Sequence, residues 1–162
     1  MSIVYLILGG NRGNRTEIIS TAIVLLSSRI GPVQTKSRLY ESESWGFNSE
    51  NFINQVVVLK TTLSPAHILE ISLEIETQLG RTRSGNGYEA RTLDIDLLYY
   101  DALVINSDFL TIPHPRIGNR RFVLMPLTEV APDLVDPATG ISVKEMVESC
   151  PDAGKVWYYD KI

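Results

Sequence analysis

Short apolar runs rich in β-branched residues constrain the fold of this chain more than any other feature. Ile3–Leu8 is followed by Gly-Gly-Asn, a pattern typical of a strand that ends in a turn. Phe52–Thr61 contains a continuous Val-Val-Val-Leu run, and Leu93–Tyr100 is a third run of the same kind. Each run has the length of a strand and is far too short to cross a bilayer, so the sequence predicts a sheet and no membrane contact.

Helical patterns lie between these runs. Thr16–Ser28 carries apolar residues at helical spacing and is followed by Gly31 and Pro32, which stop a helix. Ser64 and Pro65 predict the start of a second helix, because serine is a good N-cap and proline suits the first helical position. Gly80 is expected to follow the end of that helix.

The order of these elements predicts the fold class. With a polar-faced strand at Val33–Tyr40, the chain reads strand, helix, strand, strand, helix, strand. That is the order of an α+β, ferredoxin-like βαββαβ sandwich, here as a single domain over residues 1–162. The predicted additions are a short helix at Arg121–Val130 that is broken near Pro126, a helix at Val143–Glu148 and a last strand at Lys155–Tyr159, all C-terminal.

Composition and charge restrict the classes of binding partner and the cellular compartment that we expect for this protein. The formal net charge of -4 argues against a nucleic-acid binder, which would be basic. The single cysteine, Cys150, excludes an internal disulfide and a cysteine-based zinc site, which fits a reducing cytoplasm. The residues after Met1 resemble no signal peptide. These features predict a cytoplasmic protein, and we also expect a monomer whose partners are small molecules.

Asp94 and Asp96 are the strongest chemical signal. Two residues apart on a strand, they point to the same face with attachment points about 6.6 Å apart, while their apolar neighbours Leu93, Ile95 and Leu97 face the core. Side by side, two carboxylates repel each other unless a cation lies between them, and magnesium suits such ligands. A solvated strand face is the plain alternative for an isolated pair of this kind.

Arginines around this pair favour a phosphate site. Arg81, Arg83 and Arg91 precede the pair, and Arg120 follows it, in a stretch without lysine. Arginine offers a planar, permanently charged fork that matches phosphate oxygens. Because the glycines near the N-terminus lack the Gly-Lys-Ser/Thr ending of a P-loop, arginines and metal ions would have to hold ATP if the chain binds it.

Ordered motifs along the chain resemble one family. They are Leu8-Gly9-Gly10-Asn11, Tyr40 through Gly46, Phe52-Ile53-Asn54, Gly80-Arg81-Thr82-Arg83, Arg91-Thr92-Leu93-Asp94-Ile95-Asp96, Ile112-Pro113-His114-Pro115 and Asn119-Arg120-Arg121-Phe122. Their order and spacing are similar to those of 6-hydroxymethyl-7,8-dihydropterin pyrophosphokinases. The resemblance implies a ferredoxin-like fold and transfer of pyrophosphate from ATP to 6-hydroxymethyl-7,8-dihydropterin, with AMP released, in folate synthesis.

The resemblance also assigns roles by position. It implies that Asp94 and Asp96 hold two magnesium ions and that Arg81 and Arg91 engage the triphosphate in the transition state. The residues that would contact ATP are Arg83, His114 and Arg120. The residues that would contact the pterin are Phe52 and Phe122 on its two faces, Asn54 on its edge, and Ser42, Glu43 and Trp45 in the loop beside it. Without the resemblance, Phe52 and Phe122 would be interpreted by default as two core phenylalanines.

Glu76 matches an acidic position beside the site, although a solvated helix face explains it nearly as well.

Two other functions stay open at this point. A nucleotidyltransferase could use the same metal pair with a different acceptor, and it would transfer a nucleoside monophosphate instead of pyrophosphate. A non-catalytic ferredoxin-like binding domain would release no AMP and need no magnesium, since a fold alone implies no function.

Overall fold

A central antiparallel sheet organises the chain. The computed structural model describes residues 1–43, 51–79 and 92–159. Its strands are β1 (Ser2–Gly10), β2 (Val33–Lys36), β3 (Tyr40–Ser42), β4 (Phe52–Thr61), β5 (Asp94–Tyr100), β6 (Ile105–Asn106), β7 (Thr111–Ile112) and β8 (Val156–Tyr158). Six of them form one sheet in the order β5-β1-β4-β3-β8, with β2 also paired to β4, and β6 pairs with β7. Every pairing is antiparallel.

Helices cover both faces of this sheet. They are α1 (Arg15–Arg29), α2 (Pro65–Gln78), α3 (Arg121–Val130) and α4 (Val143–Ser149), with a short 3₁₀ turn at Ile117–Asn119. Along β1, Leu6 and Leu8 contribute to one buried cluster with α1 and α2, whereas Ile7 contributes to a second cluster with α3 and α4. Successive strand residues point to opposite faces, so one helix pair lies on each side.

The start of α2 agrees with its capping signals. Ser64 is the N-cap of α2, where its hydroxyl oxygen accepts a hydrogen bond from the His67 N–H, and Pro65 is the first helical residue. This confirms the predicted start. The α2 helix is amphipathic and buries Ile68, Ile71 and Ile75 against the sheet.

The predicted strand Val33–Tyr40 is wrong as a single element, because the structure divides it into β2 and β3. The cause is the Ser37 side chain. Its hydroxyl oxygen accepts the Val56 N–H at 3.0 Å, a bond that a backbone carbonyl would take in a regular ladder. The chain then leaves the sheet, and the Arg38 N–H donates to the Glu129 carboxylate instead.

The predicted break near Pro126 is also wrong, because α3 runs continuously through that residue. Proline removes one helical N–H and crowds the preceding turn. Here Pro126 is buried together with Val123, Leu124 and Leu127, so apolar packing of this face offsets the lost hydrogen bond.

The β6–β7 hairpin was not predicted. Each of its strands has only two residues, which is too short for an alternating pattern to be recognised. It turns the chain back toward Leu98, whose carbonyl accepts the His114 N–H at 3.1 Å. The hairpin therefore brings His114 beside the strand that carries the two aspartates.

None of the helices in the described ranges is long and apolar enough to cross a membrane.

The buried Tyr99 hydroxyl gives a test of the second cluster. It donates to Asp136 Oδ2 at 2.8 Å, and both side chains are buried. Tyr99→Phe leaves a buried carboxylate oxygen without this donor, so the free energy of unfolding should fall by about 1–3 kcal/mol. Urea unfolding measures this as a lower midpoint at unchanged slope. Tyr5→Phe is the control, since the partly exposed Tyr5 ring packs edge-on against Tyr99 at 6.1 Å. Equal stability loss in the two variants would contradict the assignment.

Candidate active site

Gly9 lies at the point where the strands bring the predicted site residues together. In the register of the sheet it is opposite Asn54 of β4 and opposite Asp94 of β5. Directly opposed residues in antiparallel strands share a face. An amide side chain and a carboxylate side chain therefore flank a residue that has no side chain.

Close approach explains why this residue is glycine. A Cβ atom built on Gly9 would lie 2.0 Å from Asn54 Oδ1, so the Asn54 side chain must occupy the space above the glycine. Any larger residue at position 9 would displace the amide. The absence of a side chain at position 9 thereby leaves room for the Asn54 side chain.

Asn54 lines a cavity and carries a hydrogen-bond donor without a described partner. Its side chain is 6% exposed, and its Nδ2 has no hydrogen-bond partner among the residues that the structure describes. A buried donor without a partner is costly, and a ligand acceptor would relieve that cost. The cavity that Asn54 lines has a volume of about 620 Å³, enough for a small planar molecule.

Asp94 and Asp96 line the same cavity. Between them, Ile95 is buried in the cluster with α1 and α2, as are Leu93 and Leu97, which confirms the predicted alternation. The Ile95 N–H donates to the carboxylate of the buried Glu76 at 2.7 Å, so α2 holds the edge strand that carries the pair. Glu76 therefore does not lie on a solvated face of α2.

The donor set of this pair fits a magnesium ion. Carboxylate oxygens are hard ligands, and magnesium keeps waters and substrate oxygens as its other ligands. The described part of the chain holds no cluster of three or more His, Cys, Asp or Glu side chains that could hold a metal. Asp94 and Asp96 would therefore leave most coordination positions to water and to a bound phosphate chain.

Another wall of the cavity comes from the segment that leads into α3 and from the first turn of that helix. Arg116, Asn119, Arg120 and Phe122 line it. The Arg120 guanidinium carbon lies 5.6 Å from the centroid of the Phe122 ring, so a cation and an aromatic face occur together. This wall adds positive charge to the cavity that the two aspartates also line.

A third side of the cavity is formed where β3 meets β4. Ser42 is opposite Phe52 in the register, and both line the cavity together with Glu43. Phe52 and Phe122 therefore line the same cavity from two elements that are distant in sequence. That arrangement suits a flat aromatic ligand, which gains from contact with aromatic rings.

His114 lies near this charge cluster as a neutral imidazole. Burial is the largest cause that lowers the pKa of His114, and Arg120 and Arg116 lower it further, whereas the Asp96 carboxylate opposes them. The Nδ1 atom accepts the Arg116 N–H at 3.2 Å, so the neutral ring carries its proton on Nε2. His114 can thus donate one hydrogen bond to an anion at neutral pH.

The structure brings most of the described candidates together. Those that line the cavity are Ser42, Glu43, Phe52, Asn54, Asp94, Asp96, Arg120 and Phe122. His114 is close enough to Asp96 and Arg120 to respond to their charges. Trp45, Arg81, Arg83 and Arg91 lie outside the described residues, and their roles stay predictions.

Some lining residues were not predicted. Arg116 belongs to the arginine-rich stretch, and Asn119 belongs to a motif used for the resemblance, so both had a sequence signal. Gly9 had one as well, in the Gly-Gly-Asn motif, but the turn predicted at Gly9 and Gly10 is wrong, because both residues continue β1. Asp152 had none, because it lies beyond every motif and reaches the cavity only through the fold.

Comparison with known proteins identifies relatives over most of the chain. The family model described as 7,8-dihydro-6-hydroxymethylpterin-pyrophosphokinase (HPPK) matches residues 5–132. A 2-amino-4-hydroxy-6-hydroxymethyldihydropteridine pyrophosphokinase of Porphyromonas gingivalis is 46% identical over 136 residues, which cover 82% of this chain and 92% of that protein. The Bacillus subtilis protein of the same name is 35% identical over 158 residues, covering 96% of this chain and 90% of that protein.

Solved structures share the fold at lower identity. A crystal structure of HPPK-DHPS in complex with substrates aligns with a TM-score of 0.74 at 16% identity. A Plasmodium falciparum HPPK-DHPS triple mutant aligns with a TM-score of 0.76 at 17% identity. Each alignment covers 91% of this chain but 43% of the other chain, so this chain spans less than half the length of those proteins.

The contact between Gly9 and Asn54 can be tested by stability alone. Gly9→Ala should lower the free energy of unfolding by about 1–3 kcal/mol, because the new Cβ forces the Asn54 side chain away. In Gly9→Ala/Asn54→Ala the clash is absent, so the double variant should be less impaired than the sum of the two single variants. Gly118→Ala is the control, since a Cβ there meets nothing within 4 Å. Strict additivity in urea unfolding would rule out this contact.

Proposed function

The chain belongs to the 7,8-dihydro-6-hydroxymethylpterin-pyrophosphokinase family, and we propose that the cavity lined by Asn54, Asp94 and Phe122 is its active site. The protein is an ATP-dependent diphosphokinase. It transfers pyrophosphate from ATP to 6-hydroxymethyl-7,8-dihydropterin in folate biosynthesis. AMP and the pterin diphosphate are the products of such a transfer.

One observation supports the proposed position of the pterin. Asn54 is a buried amide whose Nδ2 has no partner within the described ranges, and it lines a cavity that Phe52 and Phe122 also line. A pterin ring offers hydrogen-bonding groups along its edge and an aromatic face on each side. We propose that Asn54 reads the edge, that the two phenylalanines stack on the faces, and that Ser42, Glu43 and Trp45 complete the pocket.

The triphosphate would lie on the charged side of the cavity. Asp94 and Asp96 would hold two magnesium ions, with water and triphosphate oxygens as the other ligands. When bound, such ions neutralise charge on the phosphate chain and polarise the phosphorus under attack. Arg120 and the neutral His114 would contact ATP, and Arg116 adds positive charge beside them. Arg83 would join these contacts, while Arg81 and Arg91 would engage the triphosphate in the transition state.

This arrangement supports a direct displacement. The pterin hydroxymethyl oxygen forms a bond to the β-phosphorus, and the bond from that phosphorus to the α,β-bridging oxygen breaks, so its electrons leave with AMP. The hydroxyl proton passes to solvent. The side chains bind, orient and neutralise, and no covalent enzyme intermediate is needed.

The architecture supports two further proposals about the whole chain. The first proposal is the ferredoxin-like class. The strands follow the order β5-β1-β4, with β2 and β3 on the far side of β4, and α1 and α2 lie together on one face of the sheet. The sheet includes strands from both ends of the described chain, which favours a single domain over residues 1–162. A cytoplasmic monomer stays a prediction.

Product analysis tests the reaction. We expect AMP to form when ATP, magnesium chloride and 6-hydroxymethyl-7,8-dihydropterin are all present, in a one-to-one ratio with the pterin consumed. Anion-exchange chromatography separates AMP from ADP and from unused ATP. Omission of the pterin is the control, and it should abolish AMP release. Transfer of the nucleoside monophosphate to the acceptor, with pyrophosphate as the other product, would instead indicate a nucleotidyltransferase.

A substitution that removes one carboxylate charge tests the metal site. Asp94→Asn should lower turnover by at least about a hundredfold, because metal ligation contributes several kcal/mol to transition-state stabilisation. Higher magnesium concentration should recover part of the loss. Asp108→Asn is the matched control, since Asp108 is exposed on the β6–β7 hairpin. Near-normal turnover in Asp94→Asn, with circular dichroism unchanged in both variants, would overturn the metal assignment.

A further inference from the structure

A segment beyond the family match connects two walls of the cavity. The C-terminal segment (residues 152–158) lies outside residues 5–132, which the family model matches. Its strand β8 pairs with β3, where Val156 is opposite the cavity-lining Ser42. Its first residue, Asp152, also lines the cavity, on the side where α3 begins.

Asp152 serves as the cap of α3 from a distant part of the chain. Its Oδ2 accepts the Arg121 N–H at 3.0 Å, across 31 residues of sequence. Arg121 is the first residue of α3, and the N-cap residue Arg120 makes no capping hydrogen bond with its own side chain. A carboxylate near the start of a helix satisfies a free N–H and is attracted by the positive end of the helix dipole.

The other oxygen of this carboxylate is also held. Asp152 Oδ1 accepts the Gly154 N–H at 2.8 Å, and a Cβ on Gly154 would lie 2.9 Å from that oxygen. Glycine at this position allows the tight turn to form. The two hydrogen bonds fix the carboxylate in one orientation, so the segment and the helix start are held together.

The capped turn carries two proposed ligand contacts. Arg120 and Phe122 are the neighbours of Arg121 in sequence, and both line the cavity. Fixing the Arg121 N–H therefore restricts the backbone of both. Because a ring stacks on a ligand only over a narrow range of positions, a loosened first turn would weaken the Phe122 contact.

We propose that Asp152 is a positioning residue for the pterin site: by capping α3 it holds Phe122 against the bound pterin. This inference rests on the proposed function, in which Phe122 stacks on one pterin face. It extends the active site to a residue outside the matched region. It also predicts that the pterin, more than the nucleotide, responds to the loss of the cap.

Calorimetric titration tests the proposal. The dissociation constant of 6-hydroxymethyl-7,8-dihydropterin is measured with magnesium and α,β-methylene-ATP, in which the bond to be broken is replaced. Asp152→Ala should raise this constant about fivefold, in line with the free energy of a lost helix cap. Asp152→Asn should raise the constant less than Asp152→Ala does, because its one amide oxygen can still accept the Arg121 N–H, whereas its NH2 group cannot accept the Gly154 N–H.

Ser142→Ala is the matched control. Ser142 caps α4 by accepting the Glu145 N–H at 3.2 Å, and it is not among the residues that line the cavity. It should lower stability without changing the pterin constant. An equal increase in Ser142→Ala and Asp152→Ala would assign the effect to general stability and overturn the proposal, as would an unchanged constant in Asp152→Ala.

A double-variant cycle with Phe122→Ala separates positioning from direct contact. If Asp152 acts through the Phe122 ring, Asp152→Ala should add no further loss in the Phe122→Ala background. Additive losses would instead mean that Asp152 acts independently of Phe122, which contradicts the proposal. If Phe122→Ala alone leaves the pterin constant unchanged, the stacking role in the proposed function fails first. The Asp152 proposal then fails with it, whereas additive losses in a background where Phe122→Ala does weaken binding overturn the Asp152 proposal alone.

Discussion

The two antiparallel ladders of β1 are the constraint on which the rest of the structure depends. β1 lies inside the sheet and pairs with β4 on one side and with β5 on the other. A shift of one residue in either register would turn every side chain of the shifted strand to the opposite face. Only the observed registers place Asn54 and Asp94 on either side of Gly9, where one ligand can contact both.

The two faces of the sheet are covered by different helices and to a different extent. One face is closed by α1 and α2 over a large apolar cluster, which holds the strands in register. The other face is covered by α3 and α4 over the second cluster, but this cover begins only at the first turn of α3. The cavity lies where that cover is incomplete, so its polar residues come from strand ends on one side and from a helix start on the other.

Charge inside the cavity is arranged in two zones. Asp94 and Asp96 lie on the β5 side, and Arg116 and Arg120 lie on the side of α3. His114 responds to both zones, since the arginines lower its pKa in the same direction as burial, and Asp96 opposes them. A magnesium triphosphate, which carries both positive and negative groups, matches such a pair of zones better than a free anion or a free cation does. Phe52, Asn54 and Phe122 line the same cavity, and two of the three side chains are aromatic, which suits the flat acceptor proposed above.

The sequence by itself determined the strand runs, the cap and proline that start α2, and the shared face of the two aspartates, because each depends on contacts between residues that are close along the chain. It could not indicate that Ser37 interrupts a strand, since its partner Val56 lies 19 residues away. Nor could it indicate that Pro126 stays within a helix, because burial of the whole helical face compensates for the lost bond. Only the tertiary structure decided that Gly9 lies between Asn54 and Asp94 and that Asp152 caps α3. Registers and caps between distant segments are set by core packing, which no local pattern of residues encodes.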